Sequence, residues 1–146
     1  MASFLFSPVT ILFLLAAAAY SAPMPNGDPI WSNTLDAGST GEDYERLVDE
    51  QIRENPVMMY SGSRCGFSRM CKDLLNTKYP NLRYKYLDYD IAPGGDWIIG
   101  PVGKKTHTNR LPQIFICGRY IGGRAQLFAY HKSGQLASMI RQCTSF

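Results

Sequence analysis

Val57-Met58-Met59-Tyr60-Ser61-Gly62-Ser63-Arg64-Cys65-Gly66-Phe67-Ser68-Arg69-Met70-Cys71-Lys72-Asp73-Leu74-Leu75 is the stretch whose pattern decides the fold. Pro56 precedes four apolar residues, Val57 to Tyr60. A short continuous apolar run of that kind fits a buried parallel strand, and proline is tolerated at a strand's first position. Ser61-Gly62-Ser63 breaks the run, and from Gly66 onward Phe67, Met70, Cys71, Leu74 and Leu75 recur at intervals of three and four, as one face of a helix does, up to Tyr79-Pro80. Cys65 therefore stands between a strand and a helix start. Unpaired backbone N–H groups and the positive end of the helix dipole favour a thiolate there. Arg64 and Arg69 add positive charge, so the thiol is expected below the roughly 8.5 of a free cysteine, in the form that attacks disulfides. The same local sequence also suits a small buried apolar cysteine at a strand–helix junction, and the rest of the chain has to decide.

Working outward, Leu82 to Tyr89 alternates, with Leu82, Tyr84 and Tyr86 on one face against Arg83 and Lys85 on the other, which predicts a second strand. Strand, turn, helix and strand in that order open a parallel α/β unit. Upstream, Thr40-Gly41-Glu42-Asp43 is a capping-type start, and Tyr44, Leu47, Val48 and Ile52 share one helical face that ends before Asn55-Pro56. Residues 91–109 are broken by Pro93-Gly94-Gly95, Gly100-Pro101 and Gly103, leaving room for a short helix near Trp97. Pro112 to Cys117 predicts a strand, and Gly118-Arg119, with glycine first, a type II′ hairpin turn that returns through Tyr120-Ile121. Gly122-Gly123 ends the hairpin, and a last helix runs from about Arg124 to Gln142 with a break at Ser133-Gly134.

The chain has 146 residues, 45% hydrophobic and 18% charged, with a net charge of +3, which fits one globular domain. Its basic residues are spread along the sequence and not gathered into a patch, so no nucleic-acid partner is expected. Phe4 to Tyr20 is an almost unbroken apolar run that ends in small residues before Ser21-Ala22-Pro23. Residues 1–22 are thus expected to be a secretory signal peptide, with an uncleaved anchor as the alternative because the run nears the lower length of a membrane span. The protein is then expected to be secreted or in the lumen of the secretory pathway, with no membrane contact after cleavage. Residues 23–39, rich in Pro, Gly, Asn and Ser, are expected to form a flexible linker, and residues 40–146 the domain.

Three ordered signatures resemble the glutaredoxin family: Cys65-Gly66-Phe67-Ser68, matching the motif of its monothiol branch; Leu111-Pro112-Gln113-Ile114-Phe115-Ile116; and Gly118-Arg119-Tyr120-Ile121-Gly122-Gly123 before the last helix. The resemblance covers most of residues 41–143 and implies a thioredoxin-like α/β fold, a four-stranded mixed sheet flanked by helices. It also implies a cis Leu111-Pro112 bond facing the thiol, Cys65 as catalytic nucleophile and glutathione as co-substrate. Leu111 would pair with the glutathione cysteine, and Gly122, Gly123 and the helix start would hold its γ-glutamyl end. Ser68 stands where dithiol relatives have a resolving cysteine, which leaves one-thiol chemistry on mixed-disulfide protein substrates by a monomer. The chain departs from the family at Gly62, where a lysine is usual, and at Ala125 and Gln126, where acidic residues are usual. Arg64, Arg110 and Arg124 would meet the two carboxylates of glutathione, because guanidinium matches carboxylate geometry, or would stand as solvated surface charges. Monothiol relatives also bind a [2Fe-2S] cluster between two subunits, which gives a second reading in which Cys65 is a ligand; a non-catalytic secreted binding module is a third.

The remaining cysteines leave alternatives open. Cys71 is six residues past Cys65, and at about 1.5 Å per residue of helix the two Cα atoms lie roughly 9 Å apart, too far for a disulfide. Cys71 is either a small apolar core residue or a bridge to another element. In the implied fold the helix after the motif and the last helix share a face of the sheet, which makes Cys71 with Cys143 one pairing. An even count of four with Cys117 suits an oxidising compartment. His107 and His131 lack metal-ligand spacing, and no zinc site is expected.

Overall fold

The computed structural model describes residues 26–30, 35 and 38–144. The expected signal peptide, residues 1–22, lies outside the described residues. Among the described residues no helix is long and apolar enough to cross a membrane.

Helix α1 (Gly41–Glu54) begins where the capping signal stands. Thr40 donates to Asp43 Oδ2 through its N–H at 2.7 Å and its hydroxyl at 2.9 Å, so a residue of the first turn satisfies the residue before it. The buried face carries Tyr44, Val48 and Ile52, as the spacing predicts. Strand β2 (Val57–Ser61) follows and is buried along its whole length. Helix α2 (Gly66–Lys78), strand β3 (Tyr84–Asp88), strand β4 (Gln113–Ile116) and strand β5 (Arg119–Gly122) fall in the predicted order. β3 pairs parallel to β2, β4 antiparallel to β2, and β5 antiparallel to β4. Side chains alternate across β2 as a pleated strand requires: Val57 and Met59 join the cluster of Cys71, Leu74, Leu75, Leu127 and Leu136, while Met58 and Tyr60 join that of Tyr44, Val48, Ile98 and Val102. Burying both faces of β2 accounts for its unbroken apolar run.

The sheet has five strands and not four. Strand β1 (Gly27–Pro29) pairs parallel to β3 at its outer edge, giving the order β1-β3-β2-β4-β5. It lies inside the stretch expected to be a linker. Gly27 is what admits it, since a Cβ there would come within 2.3 Å of the Tyr84 ring. Asn26 anchors the approach, donating from Nδ2 to the Tyr79 carbonyl at 2.8 Å.

Helix α3 (Gly95–Thr106) is longer than the short helix expected near Trp97, and runs through Gly100 and Pro101. Ile98, Val102 and Thr106, spaced by four, form its buried face. Pro101 offers no N–H to the Trp97 carbonyl, and it falls on the side of the helix where Trp97 is 66% exposed.

The hairpin turn also differs from expectation. Ile116 pairs with Arg119, so the two turn residues are Cys117 and Gly118, both at positive φ (50° and 76°), the type I′ pattern and not a type II′ turn at Gly118-Arg119. The last helical segment breaks as predicted, into α4 (Arg124–Lys132) and α5 (Gln135–Thr144).

Cys117 is joined to Cys143 by a disulfide, with Cα atoms 5.4 Å apart, so the Cys71–Cys143 pairing does not form. The reason is directional. α2 runs away from Cys65, so Cys71 lies near the Cys65 end of the core, whereas α5 ends beside Pro56, at the start of β2. Cys71 is free and fully buried, the apolar core residue of the two alternatives.

Candidate active site

Cys65 is the residue immediately before α2, with extended backbone (φ −80°, ψ 114°). Two hydrogen bonds fix its peptide: its N–H donates to the Gly62 carbonyl at 3.1 Å, and its carbonyl accepts from Arg69 N–H at 3.1 Å. The sulfur then overhangs the first turn of the helix. Partial burial pushes the thiol up, but hydrogen bonds from the Ser68 hydroxyl and from the N–H groups of Ser68 and Phe67 outweigh it, and the thiol is held below its ordinary value. The direction matches the sequence expectation, and the donors differ in part. Arg64 and Arg69 are exposed and are not among the groups that hold the thiolate. Arg64 lies instead near Asp90, whose carboxyl is kept low first by the Ser63 hydroxyl and N–H and then by the Arg64 charge.

Ser68 is more than the absence of a second thiol. It is buried, and its Oγ accepts a hydrogen bond from Gly62 N–H at 3.4 Å, which leaves its own proton for Cys65. No pattern in the sequence showed this, because it depends on how the turn before the helix folds back. Behind the turn, Ser61 bonds the Asp88 carboxylate, and Lys72 grips both Asp88 oxygens at 2.7 and 2.8 Å. Lys72 Nζ also lies 3.8 Å from the Tyr86 ring centroid.

Facing the thiol is the loop before β4. The Leu111–Pro112 bond is cis, and the Leu111 carbonyl oxygen is 3.9 Å from Cys65 Sγ. Gln113 secures this loop from behind: its Oε1 accepts from the Thr106 hydroxyl at 2.6 Å and its Nε2 donates to the Thr108 carbonyl at 3.0 Å. Sequence reasoning assigned no role to Gln113 or Thr106; the available signal was one amide at the head of the apolar run Ile114-Phe115-Ile116.

A groove of about 570 Å³ adjoins this loop, and Phe67, Arg110, Leu111, Pro112, Gly122, Gly123 and Arg124 line it together. Of the predicted site residues, Arg64, Cys65, Gly66 and Ser68 are not in its walls: Cys65 sits beside it across the Leu111 carbonyl, Ser68 is buried, and Gly66 is an exposed first residue of α2. Gly122 has φ 111°, and a Cβ there would meet the Gln126 side chain at 2.6 Å. Gln126 instead turns back so that its Oε1 accepts from Gly123 N–H at 3.0 Å, closing the first turn of α4. The Arg124 guanidinium lies 5.3 Å from the ring centroids of both Phe67 and Phe128. A larger cavity, about 730 Å³, opens at the far end beside Pro56, Leu82 and Ile140 and has no part of the Cys65 surroundings in its walls.

These features define one reactive thiol. Burial pushes Cys71 up to about 12, with Arg124 opposing the rise, and its side chain is sealed in the core. Cys117 and Cys143 are already joined. Cys65 alone among the described cysteines is both free and partly open to solvent.

No protein-family model matches the chain. Similarity to named proteins is nevertheless clear. The Schizosaccharomyces pombe protein glutaredoxin-2 is 35% identical over 96 residues, covering 66% of this chain and 86% of that protein. The Mus musculus protein glutaredoxin-2, mitochondrial, is 31% identical over 96 residues, covering 66% of this chain, which spans only 60% of that protein's length. Among solved structures, the buckwheat glutaredoxin–glutathione complex superposes with a TM-score of 0.66 at 24% identity, covering 74% of this chain and 96% of that one, a likeness of fold.

Proposed function

The chain belongs to the glutaredoxin family, and from that premise we propose that it is a monothiol, glutathione-dependent thiol–disulfide oxidoreductase that removes glutathione from mixed disulfides. The observation that carries this reading is the Cys65 thiol, held low by Ser68 and two backbone N–H groups beside a groove walled by Leu111, Pro112, Gly122 and Gly123. In the first step the Cys65 thiolate attacks the glutathionyl sulfur of a protein–glutathione disulfide. The old S–S bond breaks, the protein thiolate leaves and takes a proton from water, and Cys65 carries glutathione. A second glutathione thiolate then attacks the glutathionyl sulfur, releasing glutathione disulfide and restoring the Cys65 thiolate. The electrons come from glutathione, and the Cys65–Ser68 arrangement needs no internal disulfide.

Within the groove, Leu111 offers its backbone to the cysteinyl residue of glutathione, the Gly122-Gly123 bend and the start of α4 take the γ-glutamyl end, and Arg110 and Arg124 face its carboxylates. The protein acts as a monomer on thiol and mixed-disulfide protein substrates. The apolar run from Phe4 to Tyr20 supports action in the secretory pathway or beyond it.

The test is glutathione-dependent reduction of a peptide–glutathione disulfide by the full chain and its Cys65→Ser variant, with the visible spectrum recorded after iron–sulfur reconstitution. Turnover that disappears with Cys65 supports the proposal. A cluster absorption band without turnover refutes it in favour of a cluster-binding protein. An intact fold with neither signal leaves a binding module.

A further inference from the structure

Among the described residues, Arg110 and Arg124 are the charged side chains that line the groove beside Cys65, and no carboxylate lines it. At the positions following the double glycine, Ala125 is exposed and apolar and Gln126 is neutral. The side-chain acceptors that remain are uncharged: Gln126 Oε1, which takes Gly123 N–H, Thr108 Oγ, which takes Arg110 N–H at 3.2 Å, and the Tyr120 hydroxyl. Arg124 Nε is buried and has no hydrogen-bond partner among the described residues, so its outward-facing guanidinium nitrogens are the ones that meet a carboxylate. Glutathione carries two carboxylates and one α-ammonium. Two guanidinium groups can match the two carboxylates, but the ammonium meets no opposite charge and a like charge on Arg124.

Resting on the reading of this site as one for glutathione, we propose that the groove selects its cysteinyl co-substrate by carboxylates alone and draws no affinity from the α-ammonium. Its substrate class is thus wider than glutathione: cysteinyl compounds with flanking carboxylates and no amine are handled at least as well.

The experiment compares kcat/KM of the full chain on one peptide disulfide of glutathione and on the same peptide's disulfide with glutaryl-cysteinyl-glycine, the deamino analogue. Each is run with its matching thiol as reductant and divided by the uncatalysed rate. The expected ratio lies within about twofold of unity or favours the deamino compound. A loss of about tenfold or more on the deamino compound, the worth of one charge-assisted hydrogen bond, overturns the proposal. The Ala125→Asp variant, which adds a carboxylate to the first turn of α4, is expected to shift the ratio severalfold toward glutathione; an unchanged ratio in a folded variant also overturns it. If neither compound turns over while Cys65 is still alkylated as a low-pKa thiol, the glutathione reading itself fails, an outcome distinct from a strong preference for the ammonium.

Discussion

Gly62 and Ser68 meet across the turn that carries Cys65: the Gly62 N–H donates to Ser68 Oγ at 3.4 Å, and the Ser68 hydroxyl is thereby turned toward the sulfur. This contact ties the protonation of the thiol to one buried side chain. The thiolate is the reactive form, so alkylation slows as pH falls through the Cys65 pKa. Ser68→Ala removes a donor to the thiolate and leaves burial unopposed at that point. The rate–pH curve for iodoacetamide is expected to move to higher pH, with a severalfold slower reaction at pH 7 and an unchanged far-UV spectrum. An unshifted curve would show that the backbone N–H groups suffice.

The Cys117–Cys143 disulfide closes a segment with a sequence separation of 26, for which chain entropy gives about 3.5 kcal/mol of stability. Cys143→Ser is expected to lose an amount of that order in urea denaturation while retaining Cys65 reactivity. Peptide mapping without reductant should recover Cys117 linked to Cys143, and Cys71 should resist alkylation until the protein unfolds.

Asp88 and Lys72 are largely withdrawn from water, with side-chain exposures of 10% and 19%. Asp88→Asn leaves the Lys72 ammonium without its counter-charge and is expected to cost about 3 kcal/mol. The double change Lys72→Met with Asp88→Leu should recover most of that loss, since removing both charges also removes their desolvation. Equal destabilisation of the single and double variants by thermal melting would contradict this.

At Gly122 the backbone sits at φ 111°, and Gln126 fills the place of a side chain. Gly122→Ala is expected to cost about 2 kcal/mol from the strained backbone and to displace Gln126 from the Gly123 N–H. Loss of kcat/KM on glutathione disulfides exceeding the change in Cys65 alkylation rate would separate damage to the groove from damage to the thiol.

Wherever a local rule and the global fold agreed, the sequence was legible. Val57–Tyr60 had to be apolar throughout because both faces of β2 are covered, Thr40 and Asp43 announced α1, and Leu111-Pro112 took the cis form expected of it. What escaped depended on partners distant in sequence. Gly27–Pro29 has no pattern of its own and becomes a strand because Tyr84 receives Gly27 and β3 offers an edge. Gly100 and Pro101 concealed α3, whose warrant is the buried row Ile98, Val102 and Thr106. Cys117 was placed one residue outside the turn, and the disulfide follows from its being in the turn, aimed at the end of α5. At the site, position and direction of the thiol shift were legible in Cys65, whereas the donor roles of Ser68 and Gly62 required the folded turn.

Strand β1 has a consequence for how the chain tolerates proteolysis. Ile30 N–H reaches the Tyr86 carbonyl at 2.8 Å and Tyr84 N–H the Asn26 carbonyl at 3.3 Å, so this short segment occupies the hydrogen-bonding groups on the outer side of β3. A cut upstream of Asn26 leaves that cover in place. A cut past Ile30 bares β3, and bare strand edges recruit strands from other copies. The cover on this edge of the sheet therefore depends on the few residues from Asn26 to Ile30.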